Sequence, residues 1–92
     1  MSYRVSMWND NPRVSEIAPK FYMSRAQAIH GMRKRAYETL AAFGKLDTQS
    51  AHAVMRAIDK CDDILQPQES RHVPVSNTGY SLTISNTARL PR

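Results

Sequence analysis

Ninety-two residues, with thirteen Lys and Arg against eight Asp and Glu, carry a formal charge of +5. A chain this short buries roughly 60–65% of the surface its unfolded form exposes, which leaves little volume for a deep enzyme cleft and favours flat or convex binding surfaces. One cysteine excludes an internal disulfide; no window reaches the ~20 apolar residues of a membrane span or resembles a signal peptide, so the expectation is a cytoplasmic protein of the reducing compartment.

In chain order, residues 3–8, YRVSMW, alternate apolar and polar, the period of a half-buried strand. Trp8 falls on the polar face, where it either covers a second layer or is exposed; packing over the strand end is favoured over a stacking or anchor role. Asn9-Asp10-Asn11-Pro12 marks a turn. Residues 13–20 have no clean period, and Pro19 forbids an ordinary helix interior. The 9–19 connection therefore reads as a long loop carrying Arg13, followed by a short extended segment over 20–23 that pairs with the first strand.

Ser24–Gly44 predicts one long amphipathic helix. Ser24 and Gln27 have capping-box spacing, and Gly44 stands where a left-handed residue ends a helix. Ala26, Ile29, Met32, Ala36, Leu40 and Phe43 recur at helical spacing and predict the core face. Gly31 weakens the interior and permits close approach of another backbone. Arg33-Lys34-Arg35 form the densest positive run, with Arg33 at the edge of the apolar stripe and Lys34 and Arg35 projecting away from it, and predict a single exposed basic ridge; Arg25 sits in the first turn, where the helix dipole disfavours a cation.

Asp47 or Thr48 caps a second helix. Its apolar stripe is Ala51, Val54, Ile58, Cys61 and Leu65, widened by Met55, and Gln66-Pro67 stops it. The short link makes the helices antiparallel neighbours. Asp59, Asp62 and Asp63 fall where the dipole disfavours them: either they face Lys60 and solvent, or they pair with a basic element. A hairpin follows, with arms at His72–Val75 and Tyr80–Ile84 and a turn at Asn77-Thr78-Gly79. Pro74 makes the first arm an edge. Residues 86–92 read as a polar tail.

The order β, β, α, α, β, β predicts one α+β domain over residues 1–92: a small antiparallel sheet, the N-terminal strand plus the C-terminal hairpin, packed against an antiparallel two-helix hairpin.

Chemistry-bearing motifs are missing from the sequence. Three glycines at 31, 44 and 79 make no phosphate loop. His30, His52 and His72 are scattered, with no metal-ligand spacing. Cys61 belongs to an apolar stripe, and adjacent Asp62 and Asp63 point about 100° apart on a helix, unsuited to acid–base work. The expectation is a non-enzymatic protein with no cofactor, no metal and no small-molecule substrate.

Nine of the thirteen bases are Arg, whose planar fork suits phosphate and carboxylate. Residues 1–46 carry eight bases and three acids, whereas residues 47–65 are net negative. A basic first half points to nucleic acid or an acidic protein surface. The second helix is too acidic to serve as the reader of a helix-turn-helix. The contact residues expected are Arg25, Arg33, Lys34 and Arg35, with Arg13, Lys20 and Arg71 beside them.

The strand opening MSYRVSMWND, the helix FYMSRAQAIHGMRKRAYETLAAFG and the hairpin HVPVSNTGYSLTIS together resemble a phage-encoded anti-CRISPR protein of the class that inhibits type I-F systems. The likeness is one of size and organisation over the whole chain. It implies docking on a crRNA-guided surveillance complex (Csy, or Cascade), with contacts to protein subunits and guide RNA, so that target DNA does not hybridise. Two other readings fit the same composition: a small DNA- or RNA-binding regulator of a mobile element, and an accessory subunit that binds protein only.

Overall fold

A computed structural model describes residues 2–10 and 15–88. It contains β1 (Tyr3–Asn9), β2 (Ser15–Tyr22), α1 (Arg25–Ala42), α2 (Thr48–Cys61), β3 (Ser70–Val75) and β4 (Tyr80–Asn86). The strands form one antiparallel sheet in the order β2-β1-β4-β3. The helices cover one face, α1 over β1 and β2, α2 chiefly over β3. This is the expected α+β arrangement.

Period two explains the central strands. Tyr3, Val5 and Met7 of β1 and Tyr80, Leu82 and Ile84 of β4 are buried beneath the helices, while Arg4, Trp8, Thr83 and Ser85 take the other face. Among the described residues no helix packs on that second face, and several of its polar side chains bond one another across strands. Arg4 pairs with Glu16. The Trp8 indole N–H donates to Thr83 Oγ1 at 2.9 Å, and His72 Nδ1 lies 2.8 Å from the same hydroxyl. Trp8 thus lies half-exposed, with no second layer beneath it among the described residues.

Three expectations need correction. The second strand is eight residues long, Ser15–Tyr22, not a short segment over 20–23. Its period is hidden by a register shift opposite Val5–Met7, where Val5 pairs with Lys20 and Met7 with Ile17. Pro19 falls within that irregularity on an edge strand, where a missing N–H is tolerated. Helix α2 stops at Cys61, with Asp62 as its C-cap; Asp63 lies beyond the helix, whereas Asp59 and Asp62 stay at its negative end, as expected. The polar tail begins later than expected: Asn86 is buried in β4 and donates from Nδ2 to Leu65 O at 2.8 Å, and Thr87 N donates to Ser2 O at 3.0 Å. Residues 89–92 lie outside the described residues.

Local signals set the remaining boundaries. Ser24 Oγ accepts from Gln27 N at 3.1 Å. At the far end of α1, Gly44 takes φ +66°, its N–H reaching Ala41 O and the Lys45 N–H reaching Leu40 O, as in a Schellman motif. Asp47 caps α2 through a reciprocal bond pair with Ser50, which holds its carboxyl below the usual carboxylate range. Val75 and Tyr80 close the hairpin around 76–79, with Asn77 and Gly79 at positive φ.

The core face of α1 is Ala28, Met32, Ala36 and Leu40, a strict four-residue row. Ala26 is exposed, Ile29 half-buried and Phe43 63% exposed, stacking on Tyr80 instead. Val54, Ile58, Cys61 and Leu65 are buried as expected, joined by Ala53 and Ala57, while Met55 stays at the surface.

Gly31 sets the seat of α1. An added Cβ there would lie 2.1 Å from Tyr22 Oη and 2.3 Å from Cζ, so the close neighbour is a side chain of β2. Gly31→Ala should therefore destabilise the fold by roughly 1–2 kcal/mol, overpacking against Tyr22 outweighing the gain of up to ~1 kcal/mol in helix propensity. In a Tyr22→Ala background the same change should become stabilising. Urea denaturation of the four proteins of this cycle checks it, and the same sign in both backgrounds would refute the contact.

Candidate polyanion-binding surface

Consecutive residues on a helix are about 100° apart, so Arg33, Lys34 and Arg35 cannot share one patch. Arg33 lies half-buried on one flank of α1. Lys34 is exposed on the side away from the sheet and has no partner among the described residues. Arg35 is half-buried on the other flank and engaged within the fold. The ridge expected from the triplet is thus split over three sides of the helix.

Arg33 nonetheless joins another expected residue. Arg25 begins α1 and its Nη1 donates to Asp62 Oδ1 at 3.1 Å, across the antiparallel junction with the end of α2. Arg33 Nη2 lies 3.3 Å from His30 Nδ1; a guanidinium only donates, so the ring nitrogen accepts. Arg25, His30, Arg33 and Asp62 frame an open cleft of about 380 Å³ floored by Ala26 and Ile29. An apolar floor with cations at the rim offers both a desolvated contact and a charge anchor.

The acidic end of α2 is answered from within the chain. Asp62 holds Arg25, and Asp63 accepts from Arg71 Nη2 at 2.9 Å. Both pairs are half-exposed, so each stabilises by less than about 1 kcal/mol. Their main effect is to place Arg25 and Arg71. Lys20 is exposed on β2, its Nζ 6.0 Å from the Tyr22 ring centre. Arg13 lies outside the described residues. Of the seven residues expected to make contact, the fold brings together Arg25 and Arg33 and spreads the others it describes.

A second group escaped the sequence reading. Lys45, His52 and Arg56 line an open concavity of about 560 Å³ between the start of α2 and the β3–β4 turn. The available signal was the i, i+4 spacing of His52 and Arg56, which places them on one helix face; an acidic helix end drew attention away from it.

Cys61 is fully buried, and burial pushes its thiol up to about 11 against a partial pull downward from the Arg71 guanidinium. The thiol is a core group with no nucleophilic character at neutral pH. Among the described residues no group of three or more His, Cys, Asp or Glu is placed to hold a metal ion, and no helix is long and apolar enough to cross a membrane. No family model, curated protein or solved structure matches the chain.

Because the folded thiol holds its proton to higher pH than the unfolded one, its contribution to stability is complete below about pH 9 and is lost as pH rises through about 11. Unfolding free energy should fall across that window by on the order of 1–3 kcal/mol more in the native chain than in Cys61→Ala. Denaturant titrations at pH 8, 9.5 and 11 measure it; parallel slopes for the two proteins would refute the assignment.

Proposed function

We propose that this protein is a non-enzymatic binding protein that docks on a crRNA-guided surveillance complex of the type I-F class and obstructs hybridisation of target DNA. The observation that carries the reading is the side-by-side placement of both charge signs on the helix layer. Arg33 and Lys34 lie on α1, Arg33 framing the same cleft as the Arg25–Asp62 pair, while Asp59 stands exposed in the last turn of α2. A ribonucleoprotein offers the matching pair, guide-RNA phosphates beside the basic protein that holds them. A rigid helical hairpin that carries both charge signs complements such a mixed surface better than bare duplex, which is uniformly anionic.

The polarity of the clefts supports binding without chemistry. Both hold imidazole, guanidinium and one carboxylate, the larger adding the Lys45 ammonium and the hydroxyls of Ser50, Ser76 and Thr78, and the carboxylates are engaged: Asp62 by Arg25 and Asp47 by Ser50. On this reading the protein acts in the host cytoplasm as an inhibitor that occupies a surface. The competing reading, a small basic regulator of DNA or RNA, requires affinity for naked nucleic acid.

The test uses a purified type I-F surveillance complex and a matched target duplex in a gel-shift assay. Preincubation with the protein should abolish the shifted DNA band at stoichiometric excess. Arg33→Glu combined with Lys34→Glu should weaken the block at least tenfold while circular dichroism stays native, because neither side chain holds the core. Undiminished hybridisation at saturating protein would overturn the reading. Tight binding to unrelated duplex with a steep salt dependence would replace it with the regulator.

A further inference from the structure

We infer a second anion site, for a phosphate of a nucleic-acid backbone, in the concavity between the N-terminal half of α2 and the β3–β4 turn. The first observation is which arginines are already engaged. Arg4, Arg25 and Arg71 each hold a carboxylate, Arg33 meets His30, and Arg35 is engaged within the fold. Arg56 has no hydrogen-bond, ionic or ring partner among the described residues, and it lines the larger of the two concavities. A guanidinium left unpaired beside a recess is poised for an external acceptor.

The second observation is the company it keeps. Lys45 enters from the interhelical link, His52 from the same face of α2, and Ser76 and Asn77 from the hairpin turn. The side chains of His52, Ser76 and Asn77 also have no partner among the described residues. Donors therefore converge from three separate elements. A carboxylate, flat and two-oxygened, is satisfied by one guanidinium fork. A tetrahedral phosphate presents oxygens in several directions and suits donors arriving from several sides. About 560 Å³ accommodates the phosphate and its sugar.

One lining group opposes an anion. Asp47 is ionised and its carboxylate stands in the wall, but it accepts the Ser50 N–H at 2.8 Å as the cap of α2. It therefore also consumes part of the helix terminus, so the attraction comes from the side chains of Lys45, His52 and Arg56. The turn backbone is fixed, with Asn77 at φ +61° and Thr78 donating from its hydroxyl to Val75 O at 2.7 Å; Ser76 and Asn77 need little ordering to meet a ligand.

This inference rests on the nucleoprotein reading, since guide RNA supplies the phosphate, and it assigns that contact to α2 and the turn in addition to α1. The test is titration of ¹⁵N-labelled protein with a ten-nucleotide single-stranded RNA in 50 mM and 200 mM NaCl. Amide shifts should concentrate on residues 45–56 and 76–79. Arg56→Ala should weaken binding about tenfold or more, and the doubly substituted Lys45→Ala, Arg56→Ala chain should lower the salt slope by about 1.4. Lys60→Ala, one turn further along α2 and outside the concavity, should change affinity by less than about threefold. Equal losses for Lys60→Ala and Arg56→Ala, shifts confined to residues 25–35, or no shifts would each overturn the inference. Continued block of target hybridisation by Arg56→Ala in the purified complex, in any of those cases, would leave the proposed function standing.

Discussion

The pairing of β1 with β4 is the constraint on which the rest of the molecule depends. Seven consecutive pairs, from Tyr3 with Asn86 to Asn9 with Tyr80, join the two ends of the chain at the centre of the sheet. Neither β2 nor β3 touches the other; each is an edge that hangs on one of these central strands. The helices are packed against residues that only this pairing brings together: Tyr3, Val5 and Met7 from one end, Tyr80, Leu82 and Ile84 from the other. Such long-range contacts close a large loop before they return any stabilisation. The hairpin β3–β4 and the αα-hairpin are local and can form first, but neither buries a core until β1 arrives.

Once the sheet exists, its two faces diverge. The helix face carries nearly all of the apolar core. The other face carries Arg4 bonded to Ser6 and Glu16, Trp8 and His72 meeting at the Thr83 hydroxyl, Ser70 with Ser85, and Ser81 donating to Asp10. A face whose hydrogen bonds are already mutual has less to offer a partner. Both sheet edges carry a proline, Pro19 in β2 and Pro74 in β3, so neither presents an uninterrupted row of donors for another strand. What the fold leaves open for recognition is concentrated on and beside the helices.

Features that rest on neighbours in sequence were legible. Ser24, Gly44 and Asp47 mark helix ends through backbone groups a few residues away, and the alternation in β1 and β4 survives because both strands are regular. Features set by distant residues were not. β2 lost its period to an irregularity accommodating Pro19, and only the partner strand reveals the register. The face of α1 was misjudged where alanines decide it: Ala26 and Ala28 are indistinguishable by hydropathy, and the approach of Tyr22 to Gly31 selects between them. Charge was the least legible property. Arg33-Lys34-Arg35 read as one patch in a line of text, whereas a helix divides it, and the acids that made α2 look unsuited to polyanions are answered by Arg25 and Arg71.

That last point reorganises the electrostatics of the whole surface. Counting residues, positions 56–63 carry three acids, Asp59, Asp62 and Asp63, against two bases, Arg56 and Lys60. Counting charges without an intramolecular partner, Asp62 and Asp63 drop out together with Arg25 and Arg71, and the balance shifts toward Lys34, Arg56 and Lys60. Ion pairs at half-exposed positions contribute little to stability, but each one removes a charge from long-range competition and fixes a side chain at the rim of a cleft. The Arg25–Asp62 pair does both: it ties the start of α1 to the end of α2 and frames the recess beside His30 and Arg33. The residues that stabilise the helical hairpin and the residues that shape its binding surface are therefore partly the same, and the cations left over mark where a polyanion meets least resistance.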